Sequence, residues 1–388
     1  MNLLDDIIVV DFSQFLSGPS AALRLADMGA QVIKIERPVT GDICRDLYVS
    51  DVMIAGESTI FHAINRNKQS YAADLKDADD LEKVKQLLAK ADVMMHNFRP
   101  GVMERIGLDY ESVKKINPSI IYAAISGYGN EGPWKDLPGQ DLLLQAASGL
   151  TWLNNNNDES PTPMGVAVVD ILAGTHIAQG ILATLYKRTI SGEGALVQVN
   201  MFESILDFQF EVLTSYYNDG RQLPVRSAVN SAHAYIAAPY GIYKTKDGYI
   251  ALAMGDILQL SALLQCGALQ QFGNSNDWFS KRDEIKKILA DHLLTNSAAY
   301  WLGILEKADI WCAPVMNYDA LVQQEGYKVL DMEITVKTNN GLSITTTRCP
   351  LSVDGAQLVS PKGAPLLGED NDAIDRQFGI LKELQRSA

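Results

Sequence analysis

The chain has 388 residues and a formal net charge of −14, from 33 Lys+Arg against 47 Asp+Glu. Hydrophobic residues make up 47% and charged residues 21%, the balance of a globular protein of two or three domains and not of a disordered one. The acidic excess argues against a nucleic-acid partner, which asks for a basic face. It leaves room for an anionic small ligand held by a local Arg/Lys cluster.

Cys44, Cys266, Cys312 and Cys349 are far apart and form no CxxC pair, and the histidines form no HExxH or HxxxH. These spacings predict reduced thiols and no metal site. The opening Met-Asn-Leu-Leu-Asp-Asp lacks a basic n-region, and no run of 18 apolar residues occurs. The expectation is a cytoplasmic protein with no transmembrane helix and no membrane partner.

In chain order, residues 7–12 form an apolar run typical of a strand buried on both faces. Ser17-Gly18-Pro19 stops that strand and starts a helix, with Ser17 suited to capping and Pro19 to the first turn. Residues 21–28 continue the helix to Gly29, and residues 31–36 make the next strand. This is a βαβ unit, predicted right-handed and parallel. The alternation repeats: a helix over 79–91, a strand over 92–95, a loop at Asn97-Phe98-Arg99-Pro100-Gly101, a helix starting at 102–106 and a strand over 120–125. A long apolar helix with small residues covers 171–188, followed by a strand over 196–200 and a helix over 202–217.

The character changes near residue 218. Residues 241–253 read as a hairpin turning at Asp247-Gly248, with helical patterns at 258–264, 282–292 and 298–307. Short strand-like pieces follow residue 330, then a Gly/Pro stretch over 361–368 and a last helix from about Asn371. The predicted fold class is α/β: a doubly wound, Rossmann-like large domain over 1–220 plus 331–388, and a smaller α+β domain over 225–330.

The first βαβ unit invites a dinucleotide, and Glu36 ends its second strand as a ribose-binding acid would. The turn over 13–20 holds only Gly18, however, without the three glycines that let backbone approach a pyrophosphate. A nucleophile elbow is also absent, since Ser126-Gly127-Tyr128-Gly129 has the wrong spacing. Asp170 stands out as an acid with apolar residues on both sides at the start of the long helix. Its ordinary role there is an N-cap. Its functional role would be a carboxylate near helix N–H groups, and carboxylates serve as covalent nucleophiles.

The motifs taken in order resemble the class III coenzyme A transferases, the CaiB/BaiF (formyl-CoA transferase-like) family, nearly end to end. They are Val10-Asp11-Phe12-Ser13 with Ser17-Gly18-Pro19, residues 25–38, Gly41-Asp42, Asn65-Arg66-Asn67-Lys68, Asn97 to Gly101, Gly165 to Gly174, Pro239-Tyr240-Gly241 and the C-terminal residues 363–370. The resemblance implies an enzyme that moves CoA from an acyl-CoA donor, such as succinyl-CoA, to a small carboxylic acid. It needs no cofactor beyond the CoA thioester. Asp170 matches the family's catalytic aspartate, which carries CoA as an aspartyl thioester between mixed anhydrides. The implied CoA contacts are Gln14, Phe15, Leu16, Ser17, Arg37, Lys68, Asn97, Phe98 and Arg105. The implied assembly is an interlocked homodimer.

Gln140 and Asp141 fall near the implied active site. The family's racemases carry a His where this chain has Gln140, and an amide cannot move a proton at neutral pH. That difference favours transferase over a CoA-ester racemase or isomerase, and retention of Asp170 disfavours a silent CoA-binding protein. The region 253–257 has one glycine where the oxalate-specific members carry a glycine-rich loop, and Leu16 replaces a glutamine. Both differences point away from oxalate as the acceptor.

Overall fold

The structure, a computed structural model, describes residues 3–47 and 52–380. The chain divides into two compact units, one of Met1–Leu144, Val166–Phe208 and Leu330–Ala388, the other of Gln145–Gly165 and Gln209–Val329. Residues 145–165 and 209–220, expected in the large domain, therefore group with the second unit. The physical reason is local. The Arg226 guanidinium lies 5.1 Å from the Trp152 ring centroid and donates to the Asn154 and Asn157 carbonyls at 2.6 and 3.2 Å. Residues 381–388 of the expected large domain lie outside the described residues.

The first unit is built on six parallel strands: β1 (Ile8–Asp11), β2 (Gln31–Glu36), β3 (Gln69–Ala72), β4 (Val93–His96), β5 (Ile121–Ser126) and β6 (Ala195–Asn200). Their order is β3-β2-β1-β4-β5-β6, the order of a Rossmann sheet. The chain reverses its direction of growth between β1 and β4, which places a crevice outside the carboxyl ends of those two strands. Five of these strands are anticipated by apolar runs. β3 is not, because Gln-Ser-Tyr-Ala carries too few apolar residues to show a period.

Two helices matter most for the crevice: α1 (Ser17–Asp27), which follows β1, and α2 (Val168–Ser191). By length and composition α2 is apolar enough to cross a bilayer. In the fold it packs against α1, β5, β6 and the helix Met201–Phe208, burying Val169, Ala173, Ile177 and Ile181. The expected helix over 202–217 is two helices, Met201–Phe208 and Phe210–Asn218.

β3 is an edge strand, and unpaired edges invite association. Here the backbone of β3 is closed by side chains from the C-terminal segment. Ser70 N–H donates to the Asp370 carboxylate at 2.9 Å. Asn371 accepts from Ala72 N–H at 2.8 Å and donates back to the Ala72 carbonyl at 2.9 Å. The family-like residues 363–370 therefore have a structural task at the sheet edge.

The second unit has a three-stranded antiparallel sheet of Gly241–Lys244, Tyr249–Leu252 and Cys312–Pro314, packed under the helices Ile257–Leu263, Arg282–Leu293 and Ala298–Leu305. The hairpin pairs Tyr249 with Lys244 as expected. An apolar cavity of about 470 Å³ lies over this sheet, lined by Tyr240, Ile242, Leu252, Trp311 and Cys312 among others.

Candidate active site

Three buried strand residues break the apolar pattern of β1 and β2: Asp11, Lys34 and Glu36. Charges in such positions need partners, because desolvating an unpaired ion is prohibitive. Asp11 and Lys34 are register partners across β1 and β2. The Lys34 ammonium sits 2.7 Å from the Asp42 carboxylate and donates to the Ser13 carbonyl at 2.7 Å. Asp11 accepts from Ser13 N–H at 2.9 Å and pairs with Lys68 at 3.2 Å. Glu36 accepts from Arg45 through both oxygens, at 2.7 and 2.8 Å. The result is a buried ionic layer under the loop that joins β1 to α1.

Lys68, a CoA contact by the family resemblance, belongs to this layer. It is wholly buried, and its three N–H donors go to Asp11, the Pro19 carbonyl and the Asn65 side chain at 3.2, 2.9 and 3.0 Å. Burial pushes its pKa down to about 8. All three donors are engaged within the chain, and Lys68 holds the first turn of α1.

The other expected CoA contacts fall into two groups. Arg37 and Arg105 are exposed and open to solvent. Phe15 is 46% exposed and holds a left-handed backbone with φ 63°, while Leu16 is half-buried. Phe98 is partly buried and packs on the core and the His96 ring. Gln14, Ser17 and Asn97, by contrast, bond to one another. Asn97 accepts from Gln14 N–H at 2.9 Å and donates through Nδ2 to the Gln14 carbonyl at 2.7 Å and to Ser17 Oγ at 3.3 Å. This one side chain ties the loop after β4 to the loop after β1, at the crevice.

Asp170 is the third residue of α2 and not its N-cap; the backbone cap is Ala167, with no side-chain cap bond. The missing cap comes from a distant segment. The Asp141 carboxylate accepts from Val169 N–H at 2.8 Å and Asp170 N–H at 3.1 Å. Asp141 is delivered by a close backbone crossing. A Cβ on Gly127 would lie 2.7 Å from the Gly139 Cα, so only glycines fit there, and Gln140 and Asp141 follow directly. Gln140 itself is exposed.

Ser17 is likewise not a cap: α1 starts from Leu16 without a side-chain cap bond. Ser17 instead lies close to Asp170 and works to lower that carboxyl's pKa. The two helix starts can approach this closely because of Gly174, one turn beyond Asp170 and on the same face. A Cβ there would lie 2.7 Å from the Ser17 carbonyl oxygen and 2.3 Å from Ser20 Oγ. Burial, reinforced by the nearby charge of Asp141, raises the Asp170 pKa to about 6, against the lowering effect of the Ser17 donors. The group is a carboxylate at pH 7, less solvated and more basic than an ordinary aspartate. That combination suits a nucleophile.

A family model for CoA-transferase family III matches residues 4–371. The chain belongs to CoA-transferase family III. It is 32% identical over 384 residues to an acetyl-CoA:oxalate CoA-transferase of Acetobacter aceti, covering 96% of this chain and 95% of that one. It is 33% identical over 397 residues to a succinyl-CoA:glutarate CoA-transferase of Mus musculus, covering 100% of this chain and 87% of that one. Its structure is similar to a crystal structure of a CaiB/BaiF family protein from Brucella suis, with a TM-score of 0.83, 28% identity and coverage of 96% and 98%. Membership makes this family III chain a CoA-transferase and accounts for the α/β architecture with its parallel six-stranded sheet.

Sequence reasoning missed Asp11, Lys34 and Asp42 as supports of the site. For Asp11 and Lys34 the available signal was a charge inside a strand that otherwise reads as fully buried; Asp42 lies in the loop after β2 and carried no such signal. Among the described residues, no three His, Cys, Asp or Glu side chains converge to hold a metal ion.

Proposed function

We propose that this family III enzyme transfers CoA from succinyl-CoA to a small dicarboxylate, using Asp170 as the nucleophile. The observation that carries this reading is the placement of Asp170: a desolvated carboxylate, pKa about 6, at the meeting of two helix N-termini beside a sheet switch point. The dicarboxylate choice follows the relatives' substrates. Asp170 attacks the donor thioester carbonyl, the C–S bond breaks, and a mixed anhydride and CoA thiolate result. The thiolate attacks the aspartyl carbonyl and expels succinate, leaving an aspartyl-CoA thioester. The acceptor carboxylate attacks that thioester and releases the thiolate, which then takes the acceptor acyl group from the second anhydride and frees Asp170. The acyl bond stays activated throughout, so no ATP and no cofactor beyond CoA is required.

Each intermediate hydrolyses if wetted, and the half-buried position of Asp170 limits that loss. Exposed Arg37 and Arg105 suit CoA phosphates, and Phe15 and Phe98 offer faces to the adenine. Gln140 beside Asp141 cannot shuttle a proton, which supports transfer over racemisation. We further propose an interlocked homodimer. It is supported by bulky apolar side chains that a monomer leaves in water, such as Tyr186 at 71%, Ile190 at 75% and Trp311 at 63% exposure. A cytoplasmic setting agrees with four free thiols.

The test is intact-protein mass spectrometry with peptide mapping after incubation with a panel of acyl-CoA donors, run beside Asp170→Ala. A CoA-sized adduct on the Asp170 peptide is expected with succinyl-CoA. Asp170→Ala should show no adduct and lose transfer by more than about 10⁴-fold, the scale for removing a covalent nucleophile. Full transfer in that variant sinks the mechanism.

A further inference from the structure

We infer that a second cavity, in the first unit, binds a free α-amino acid with an apolar side chain, its carboxylate at His96 and Arg99 and its ammonium at Glu104 and Glu111. The cavity has a volume of about 310 Å³, the size of a small-metabolite site. It lies toward the carboxyl ends of β4, β5 and β6. The loop after β4 separates it from the crevice at β1 and β4. Asn97 in that loop bonds to Gln14 on the crevice side, while Phe98 to Gly101 line the cavity. The charge of the lining also sets it apart: Glu104, Asp109 and Glu111 against one Arg99, a surplus that repels the phosphates of CoA. The inference does not depend on the reading of Asp170.

An unused buried donor carries the argument. His96 closes β4, a strand of otherwise apolar residues, and is only 8% exposed. A backbone N–H can only donate, so the Phe98 N–H at 3.3 Å makes Nδ1 the accepting nitrogen and leaves the ring proton on Nε2. That Nε2–H has no partner among the described residues, and the ring is part of the cavity lining. Buried N–H groups are rarely left without an acceptor. The ring cannot swing away to find one elsewhere. It stacks on Phe98 at 6.2 Å between centroids and meets Tyr122 edge-on at 5.4 Å. Burial holds its pKa down at about 4, so the imidazole is neutral at pH 7. Nε2–H is therefore a fixed, uncharged donor waiting for an oxygen.

The charged groups of the lining narrow the ligand further. Glu104, on the helix Val102–Ile106, and Glu111, in the first turn of the helix Tyr110–Ile116, are exposed and form no ion pair among the described residues. Arg99 is exposed and unpaired as well. Asp109 is occupied as the N-cap of the second helix, accepting from Ser112 N–H at 3.1 Å and Ser112 Oγ at 2.6 Å. A simple cation would satisfy the glutamates but leave Nε2–H without an acceptor and face Arg99. A simple anion would suit His96 and Arg99 but meet the acids. A zwitterion satisfies all of them. The rest of the wall is apolar, with Tyr110 and Tyr122 in edge contact at 5.7 Å beside Met103 and Ile125. That surface favours an apolar side chain over the bare α-carbon of glycine.

The test is calorimetric titration of the full chain at pH 7 with L-leucine, L-methionine and L-phenylalanine, and with the N-acetyl and amide forms of the tightest of them. Saturable binding at one site per chain is expected. Each blocked form lacks one charge and should bind at least about tenfold more weakly, the scale of one charge-assisted hydrogen bond. His96→Phe keeps a ring and removes the donor, and should weaken binding by a similar factor. The double variant Glu104→Gln, Glu111→Gln touches only the exposed rim, so it keeps the test open if the buried substitution does not fold. It should lose at least about tenfold in amino-acid affinity while transfer from succinyl-CoA keeps its kcat and KM. No saturable binding of any of the three up to about 10 mM, tenfold above a millimolar Kd, overturns the inference. So does equal binding of the N-acetyl form, or unchanged affinity in the double variant. Competitive displacement of the amino acid by CoA would place the cavity inside the CoA site and overturn it too.

Discussion

The two helix starts that meet at Asp170 are held in opposite ways. The loop into α1 is fixed from beneath by buried ion pairs, Lys34 with Asp42 and Lys68 with Asp11, whose ammonium groups also grip the Ser13 and Pro19 carbonyls. The start of α2 is held by a single carboxylate, Asp141, arriving from a separate segment. The first arrangement balances its charges and supplies neutral donors to the site. The second brings a negative charge beside the nucleophile. Rigid support and electrostatic tuning are thus separated: α1 sets where the oxygen atoms lie, and α2 sets how basic they are.

The comparison is broken most severely by Lys68→Met. It leaves Asp11 as a buried charge without its cation, expected to cost about 3–5 kcal/mol. A fall in the urea midpoint checks this, and an unchanged midpoint would mean the ionic layer does not hold the loop. Gly174→Ala attacks the contact between the two helices. A methyl group there meets the Ser17 carbonyl, so a loss of about 1–3 kcal/mol is expected, with kcat falling more than KM changes as Ser17 and Asp170 separate. Thermal melts and steady-state kinetics read the two effects. The mildest change is Asp141→Asn, which keeps an oxygen for the cap but removes the charge. A neighbouring anion raises the Asp170 pKa, so its removal must lower it. The acid limb of kcat/KM should move below about pH 6, with stability changing by less than about 1 kcal/mol. A limb that stays in place would show that burial alone sets the basicity.

Much of this was legible in the sequence, for reasons that can be named. The βαβ start and three of the four remaining sheet strands follow from runs of buried apolar residues. Asp170 is conspicuous as a charge in an apolar helix start. What sequence periodicity cannot report is the direction of a side chain or the identity of a distant partner. Ser17 and Asp170 both occupy places where helix caps are common, and neither caps its helix. The pairing of Lys68 with Asp11, in a separate strand, is likewise out of view in the sequence. β3 stayed hidden because Gln-Ser-Tyr-Ala shows no apolar period, and the residues that complete its edge lie about 300 positions away.

That last separation has a consequence for synthesis in the cell. A ribosome adding roughly 5–20 residues per second takes on the order of 15–60 s to travel from Ser70 to Asp370. Throughout that interval the first strands exist while the side chains that seal their outer edge do not. The nascent chain therefore carries an open strand edge for most of its own translation, and the last helix acts as the latch that ends this exposure.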